Sequence, residues 1–338
     1  MKKLIQITDE EFAEVNEFNR FILDDFITNS TELSSATKKS YMSNLRIWFK
    51  WVKDNLNNKE QTEIKPLEFK KFQNWLLNRG CGSADIDNKR AAISSLNGYI
   101  EIYYHDDYPT FRNFINKSIK RPPKTFVHKK EPLTKAEFNH LIEVLTEQEE
   151  WQKIAYLQFT LSTGCRRAES RQLLKSIVDA QPIIKTKQYF DDNGDLQEKQ
   201  IKYYQTHPIR CKGKSDVGKV RKLAFSQEAM DAIKKWIDYR NETWKDEDDC
   251  PYVFVTRYGG TIKQIGETTF NSWCDNDFEK IVGRRVHPHI MRESKATQSV
   301  VEDGKDIESV RALLGHESSE TTRIYVIRDE DEDIDDLF

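Results

Sequence analysis

Residues 183–225 read IIKTKQYFDDNGDLQEKQIKYYQTHPIRCKGKSDVGKVRKLAF, and this stretch decides the fold class. Asn193-Gly194 is typical of a two-residue β-turn, and residues with a high β-sheet propensity flank it on both sides. A second hairpin is expected between residues 207–211 and 220–225, with its turn around residues 213–218. Helices are predicted elsewhere, including from Ser226 to the end, so we expect a mainly α protein with a small antiparallel β-sheet.

The N-terminal part of the chain has the spacing of amphipathic helices. Apolar residues recur at helical intervals from Phe12 to Phe26 and again from Tyr41 to Val52. Pro66 suits the first turn of a helix that reaches Asn78, and another helix is expected over residues 83–104. These patterns predict a helical domain.

Two neighbouring prolines, Pro122 and Pro123, interrupt this helical text, because proline lacks an amide donor and disfavours helix in the residue before it. A new helix start follows, where Thr134 and Glu137 have the spacing of a capping box. We therefore expect a helical first domain, a linker, a second domain and an acidic tail, at residues 1–122, 123–131, 132–325 and 326–338.

Composition excludes several classes of protein. Charged residues make up 32% of the chain and no apolar run approaches 18 residues, so the sequence predicts a soluble, cytoplasmic protein without a membrane span. The five cysteines are scattered and form no CxxC pair, which favours reduced thiols over disulfides or zinc ligands. The net charge of −3 hides an uneven distribution, since residues 1–130 carry 22 Lys or Arg against 17 Asp or Glu, and residues 326–338 carry seven acids against one base.

The first segment with chemical promise is LSTGCRRAESRQLL, residues 161–174. Gly164 can end one helix, so that Arg166 stands at the head of the next with Glu169 one turn on to hold it. The second segment is the tip of the second hairpin, where Lys212 can reach a ligand from a rigid strand. Taken alone, each of them is typical of a solvated surface.

Two further segments bring histidines and a tyrosine. His289 and Arg292 lie three residues apart, so both can address one anion from the same helix face. A metal site from His287 and His289 is disfavoured, because no further ligand is evident nearby. Residues 306–326, DIESVRALLGHESSETTRIYV, place His316 after a helix-ending glycine and Tyr325 on the helix that follows.

The order and spacing of these groups resemble the tyrosine recombinase family, also called phage integrases. The family signature is an arginine, a hairpin lysine, a His-x-x-Arg box, a Gly-His pair and a tyrosine, which here match Arg166, Lys212, His289, Arg292, His316 and Tyr325, with Glu169 as the acidic companion of the first arginine. Lys214 and Lys219 stay open as alternatives for the hairpin lysine. One departure is Glu293, which stands where members of the family often carry another histidine.

The resemblance implies that residues 1–122 form the helical core-binding (DNA-binding) domain of the family and residues 132–325 the tyrosine-recombinase catalytic domain. It implies a site-specific DNA recombinase or integrase that cleaves and rejoins strands through a 3′-phosphotyrosyl intermediate, without metal, ATP or another cofactor. Tyr325 would be the nucleophile, Lys212 would protonate the leaving 5′-oxygen and His289 would accept the tyrosine proton. His316 would hydrogen-bond the phosphate, which both arginines would grip through paired charge-assisted hydrogen bonds. The implied partners are double-stranded recombination sites, three further copies in a synaptic tetramer, and accessory DNA-bending or directionality proteins.

Other readings stay open at the level of sequence. A type IB topoisomerase would use the same residues. A catalytically inactive DNA-binding regulator would keep only the basic surface, and a helical scaffold protein would not bind DNA. About ten residues precede the first predicted helix, which are too few for the separate arm-binding domain that some integrases carry at the N-terminus. We therefore expect simple core recombination sites rather than long sites that contain arms. The tail, residues 326–338, is either a disordered solubilising segment or a segment that docks on a neighbouring subunit.

Overall fold

The computed structural model describes residues 7–115, 119–123, 131–190, 194–211, 213, 218–244, 249–316 and 318–323. The chain divides between Lys129 and Lys130 into two compact units. Residues 124–130 of the predicted linker and all of the predicted tail lie outside the described residues. Among the helices that the structure describes, none has the length and apolar character needed to cross a membrane.

The first unit is helical, as the periodicity predicts. Its described α-helices are α1 (Asp9–Ala13), α2 (Glu17–Asn29), α3 (Ser35–Asn55), α4 (Pro66–Asn78) and α5 (Ser83–Tyr103), with a short 3-10 turn at Gln61–Glu63 between α3 and α4. Side-chain caps begin several of them: Asn16 accepts from the amide of Asn19, and Ser34 from that of Thr37. The helix from Pro66 to Asn78 has the bounds that the sequence predicts, with proline in its first turn.

A buried aromatic cluster and one polar chain hold the first unit together. Trp48 is fully buried and meets the ring of Phe72 edge-on, with 4.9 Å between the ring centroids. Its indole N–H donates to Gln61 Oε1 (2.7 Å), and the Gln61 amide donates in turn to Asn97 Oδ1 (2.6 Å). This chain of bonds ties α3 and α5 to the turn between them, since a buried polar group without a partner is costly.

The second unit combines helices with three small antiparallel sheets. Its described α-helices are α6 (Lys135–Glu147), α7 (Trp151–Thr163), α8 (Arg167–Ser170), α9 (Gln227–Thr243), α10 (Glu267–Trp273), α11 (Glu279–Val282), α12 (Ile290–Thr297), α13 (Ile307–Leu314) and α14 (Ser319–Arg323). Its strands are β1 (Ile183–Phe190), β2 (Leu196–Gln205), β3 (Ile209–Cys211), β4 (Lys219–Arg221), β5 (Ala224–Phe225), β6 (Val255–Tyr258) and β7 (Thr261–Gln264). The prediction of a mainly α fold with a small antiparallel sheet is confirmed.

Both predicted hairpins are present. Strand β1 pairs with β2 so that Ile183 faces Tyr203, and β3 pairs with β4 so that Cys211 faces Lys219. Gly194 has the positive φ of +85° that favours glycine in such a turn, whereas Asn193 lies outside the described residues. Strand β5 adds to the far end of β2 through Tyr204 and Gln205, completing the order β1-β2-β5.

The prediction of helices alone from Ser226 onward is wrong. A third hairpin, β6–β7, interrupts them between α9 and α10. Its turn is Gly259-Gly260, in which both residues have a positive φ, +58° and +75°. Two glycines between β-compatible residues are a hairpin signal that the sequence does contain.

Helix α7 runs through the core of the second unit. Its buried Tyr156 stacks on Phe270 of α10, with ring centroids 4.3 Å apart, and Phe159 meets Phe225 of β5 edge-on. The helix ends at Gly164, whose φ of +59° is left-handed. At this position the chain turns from the core toward Arg166.

Gly164 lies so close to α13 that a side chain has no room there. A Cβ on Gly164 would overlap the Leu314 Cδ2 atom, whereas a Cβ on Gly283, which also has a positive φ of +78°, would meet no atom within 4 Å. We predict that Gly164→Ala lowers the free energy of unfolding by about 1–3 kcal/mol more than Gly283→Ala, because overpacking adds to the backbone strain that both variants share. Urea denaturation of the two variants measures this difference, and equal losses would contradict it.

Candidate active site

Arg166 stands at the turn between α7 and α8. It is the N-cap residue of α8, and its backbone amide donates to Glu169 Oε2 (3.2 Å). Its guanidinium donates to the other oxygen, Glu169 Oε1, at 2.9 Å. The contact that the Arg-x-x-Glu spacing predicts is therefore present, and about a quarter of the Arg166 side chain (26%) remains exposed.

Glu169 is almost fully buried, with 1% of its side chain exposed, and it binds a second arginine. Arg221 Nη2 lies 3.1 Å from Glu169 Oε2. Burial by itself raises the pKa of Glu169, but the charge of Arg221 and the hydrogen bonds and charge of Arg166 outweigh this effect and lower it. The carboxylate therefore stays ionised and orients two guanidiniums.

Arg221, on β4, is a residue that the sequence analysis missed. Besides Glu169, it donates through Nε to Cys211 Sγ (3.2 Å) and through Nη1 to the carbonyl of Leu313 (2.7 Å). It thus joins the start of α8, the second hairpin and the end of α13. A signal was available, because strand pairing puts Arg221 on the same face as Ile209 and Cys211, which are buried, and a charge on a buried face requires a partner.

Arg292 is fully buried on α12 and connects the ends of two helices. Its Nη1 donates to the carbonyl of Gly164 (2.5 Å) and its Nη2 to that of Leu314 (2.8 Å). Both carbonyls lie where a helix ends, and the partial negative charge of a helix C-terminus favours a cation there. The guanidinium is therefore fixed between α7 and α13.

His289 precedes α12 rather than lying within it. The helix begins at Ile290, and His289 is its N-cap residue, whose carbonyl accepts the amide of Arg292 at 3.0 Å. The residue lies at the surface, yet desolvation of the ring, followed by the positive charges of Arg292 and Arg166, lowers the pKa of His289 to about 4. Its imidazole is thus neutral at neutral pH.

His316 follows Gly315, the left-handed residue that ends α13. It is buried, with 5% of its surface exposed, and its Nδ1 lies 2.9 Å from Thr322 Oγ1 on α14. Desolvation, and then the charges of Arg292, Arg166 and Arg221, lower the pKa of His316 to about 4. Thr322 was also missed by the sequence analysis, which has no pattern to pair it with this histidine.

Four of the six matched residues are brought together around one positive field. After desolvation, the positive charges of Arg292 and Arg166 contribute to lowering the pKa of His289 and that of His316. Lys212 and Tyr325 lie outside the described residues, and so does Lys214. Of the three candidate hairpin lysines only Lys219 is described; it is exposed at the start of β4, where it pairs with Cys211.

Glu293, the departure from the family pattern, is buried next to the site. Its Oε2 atom lies 3.8 Å from Nε2 of His287, so a carboxylate does accompany this histidine. Within the part of the chain that the structure describes, however, no group of three His, Cys, Asp or Glu residues is arranged to hold a metal ion.

Comparison with known proteins agrees with this geometry. Residues 131–332 match the model of the phage integrase family. The chain belongs to this family of tyrosine recombinases. It is 31% identical to the SPbeta prophage-derived recombinase-like protein YomM of Bacillus subtilis (strain 168), an alignment that covers 99% of this chain and 95% of the relative. It is 23% identical to the tyrosine recombinase XerC of Pediococcus pentosaceus (strain ATCC 25745), over 89% of this chain and 90% of the relative.

Solved structures share the fold of this family member. The Tn1549 transposon integrase, in complex with circular intermediate DNA, superimposes with a TM-score of 0.64 at 15% identity, covering 96% of this chain and 100% of that one. A lambda integrase from a tetramer bound to a Holliday junction gives a TM-score of 0.60 at 14% identity, covering 92% and 79%. The family resemblance inferred from the motifs is therefore confirmed.

We predict that His289 and His316 titrate near pH 4 in the folded protein, as an NMR titration of the imidazole protons from pH 8 downward would show. An unfolded histidine takes up its proton near pH 6.5, so these two histidines reduce stability as the pH falls from about 6.5 toward 4 and have no such effect above that range. Titration of both rings near pH 6.5 would contradict the prediction.

A pair of charge-removing variants tests the cause of these pKa values. Arg166→Ala should raise the pKa of both histidines, because the charge of Arg166 lowers each of them. Arg112→Ala removes the same charge from the first unit and should leave both pKa values unchanged. Equal effects of the two variants would contradict this cause.

Proposed function

We propose that this chain is a site-specific DNA recombinase that cleaves and rejoins DNA strands through a covalent bond between Tyr325 and a 3′-phosphate. One observation carries the proposal: Arg292 donates to the carbonyls of Gly164 and Leu314, and its amide donates to the carbonyl of His289, so the chain segments of Arg166, His289 and His316 meet at this arginine. Membership of the phage integrase family supports it, as do the DNA molecules named with the Tn1549 and lambda integrase structures.

The two arginines would stabilise the scissile phosphate, Arg166 by direct contact and the fully buried Arg292 through its positive charge. Attack on a phosphodiester places negative charge on its non-bridging oxygens, and fixed guanidiniums neutralise that charge without reorganising. Among the described residues, the guanidinium of Arg166 bonds only to Glu169, so its other donors are available to an anion. Arg292, fixed by the two helix ends, provides the second cation.

The two histidines would act in their neutral forms. With a pKa of about 4, His289 is unprotonated at neutral pH, as a base must be to accept the proton of Tyr325. For His316, the tautomer in which Nδ1 accepts from the hydroxyl of Thr322 would have its proton on Nε2, the form that can donate a hydrogen bond to a phosphate oxygen. Desolvation, followed by the charges of the surrounding arginines, therefore favours the neutral form that each role requires.

In the first step the phenol oxygen of Tyr325 attacks phosphorus, its proton passes to His289, and the bond to the 5′-oxygen breaks. Lys212 gives that oxygen a proton, so a 5′-hydroxyl and a 3′-phosphotyrosyl ester result. A phenol has a pKa of about 10 and is a good leaving group, so a 5′-hydroxyl can reverse the step on the same or another strand. The ester conserves the energy of the broken bond, and no cofactor or ATP is required.

The second hairpin supports the assignment of Lys212. Cys211, the residue before it, is buried, and its sulfur accepts a hydrogen bond from Arg221, which also binds Glu169. The strand is therefore anchored to the phosphate-binding arginine up to the residue that precedes Lys212. Lys219 is exposed on the opposing strand, and its neighbour Val220 is exposed as well, whereas the neighbour of Lys212 is buried.

The partners follow from the reaction. Exchange between two double-stranded sites requires four tyrosines, hence a tetramer assembled on DNA. In this proposal the acidic tail, residues 326–338, docks on a neighbouring copy and keeps its seven carboxylates away from the phosphate, since like charges repel.

Tyr325→Phe is expected to abolish the covalent protein–DNA adduct on a nicked suicide duplex, because the variant lacks the attacking oxygen. DNA affinity should stay within about twofold of the parent, since no charge is lost. Denaturing gel electrophoresis detects the adduct. Tyr258→Phe, a change at a tyrosine that is 89% exposed, serves as control and should retain adduct formation. An adduct formed by the Tyr325→Phe protein would refute the nucleophile assignment.

Lys212→Ala is expected to slow cleavage of ordinary DNA by about a hundredfold or more, the usual contribution of a general acid. A substrate whose leaving group is a 5′-thiol needs little protonation and should restore most of the rate. Single-turnover cleavage of both substrates gives the ratio for Lys212→Ala, Lys214→Ala and Lys219→Ala. Thiol rescue of Lys214→Ala or Lys219→Ala in place of Lys212→Ala would move the role to that lysine.

A further inference from the structure

The first hairpin of the second unit extends well beyond the sheet. We call residues 183–189 of β1 and 197–203 of β2 the ribbon. Strand β5 pairs with β2 only at Tyr204 and Gln205, so the ribbon has no third strand. All residues from Leu196 to Lys202 are exposed. A two-stranded hairpin without a packed face is marginally stable in water, and its length therefore calls for another explanation than core formation.

The pairing register sorts the ribbon side chains onto two faces. Residues directly opposite each other share a face, and so do residues two apart along a strand. One face, here called the basic face, consists of Ile183, Lys185, Lys187, Tyr189, Gln197, Lys199, Ile201 and Tyr203. It holds three lysines and no acidic residue. The other face has one acid, Glu198, bonded to Gln188, and one base, Lys202, so its net charge is zero.

The basic face contains a charge arrangement that does not favour the free protein. Lys187 lies directly opposite Lys199, and like charges in that position destabilise a strand pair. Among the residues that the structure describes, no carboxylate forms an ion pair with Lys185, Lys187 or Lys199. A local arrangement that opposes folding, and that none of the described carboxylates compensates, is expected where a ligand supplies the compensation.

Aromatic rings accompany these lysines. The ammonium of Lys185 lies 5.9 Å from the ring centroid of Tyr203, and Tyr189 is 46% exposed. Lysines with interleaved exposed aromatic residues suit a polyanion that has sugar and base surfaces between its phosphates. Charge complementarity therefore points to nucleic acid as the occupant.

The ribbon is also continuous with the hairpin of the candidate active site. Strand β2 leads through Thr206 directly into β3, which ends at Cys211. Thr206 is fixed by two bonds with Leu223: its amide donates to the Leu223 carbonyl (3.0 Å), and its Oγ1 accepts the Leu223 amide (2.9 Å). The ribbon is thus joined, through residues 206–208, to the hairpin that carries Arg221.

We propose that the basic face of the ribbon binds the phosphate backbone of duplex DNA beyond the reaction centre. Lys185, Lys187 and Lys199 each neutralise a phosphate, and this contact supplies affinity without reading sequence. The inference rests on the proposed function, because it assumes that the chain acts on DNA.

Salt dependence of binding tests this contact. The full chain is titrated against a fluorescent duplex of about 30 base pairs of arbitrary sequence at several salt concentrations. Each phosphate contact adds about 0.9 to the slope of log Kd against log salt concentration. The glutamine triple variant, Lys185→Gln/Lys187→Gln/Lys199→Gln, should reduce the slope by about 2.7. Lys187→Gln alone should reduce it by about 0.9. Lys202→Gln, on the opposite face of the same ribbon, should leave it unchanged. The triple arginine variant, which keeps the charge, should retain the parental slope.

The outcomes separate this inference from the proposed function. If the parent binds DNA and the glutamine triple variant keeps its slope, the ribbon contact is refuted while the recombinase proposal stands. A parent that binds no duplex overturns both. If the glutamine triple variant instead changes the sedimentation of the DNA-free protein and leaves the slope unchanged, the face is an interface between copies and the DNA proposal fails. A slope lost in the glutamine triple variant and kept in the arginine variant supports it, because both have the same backbone and only one lacks charge.

Discussion

The buried carboxylate of Glu169 is the interaction on which the arrangement of the candidate site depends. Removing an ionised carboxylate from water costs several kcal/mol unless cations and hydrogen bonds replace the water. Arg166 and Arg221 provide both, one on each oxygen. Without this carboxylate the two guanidiniums would repel each other. One acid at the start of a short helix thus fixes Arg166, the proposed phosphate ligand, and, through Arg221, the strand that leads to Lys212.

Close backbone approach allows the remaining parts to meet. Arg292 bonds to carbonyls at the ends of α7 and α13, and each helix ends in a glycine with positive φ, Gly164 or Gly315. A Cβ on Gly315 would lie 2.7 Å from Arg221 Nη1, so glycine is required there for space as well as for conformation. The charges are therefore packed against helix termini whose dipoles attract them, and the neutral histidines respond to the resulting positive field.

The core of the second unit and its charged features follow different physical rules. Helix α7 is held by apolar and aromatic contacts, which exclude water, whereas the ribbon is exposed along most of its length and the described carboxylates form no ion pair with the lysines of its basic face. Arg166 and Arg292 lie between these extremes: their guanidiniums are fixed by buried partners, and Arg166 keeps part of its surface accessible. Rigid positioning and access to a polyanion are thereby combined in one unit.

The sequence by itself determined the elements and the chemistry that depend on local spacing. Pro66 predicted the start of α4, the Asn-Gly turn predicted the first hairpin, and Arg-x-x-Glu predicted the contact between Arg166 and Glu169. Only the tertiary structure decided which distant groups meet: Arg221 with Glu169 and the Leu313 carbonyl, or His316 with Thr322. The reason is physical, because pattern along a chain reports neighbours one turn or one strand pair apart, while burial, desolvation and pKa depend on atoms that folding brings from elsewhere.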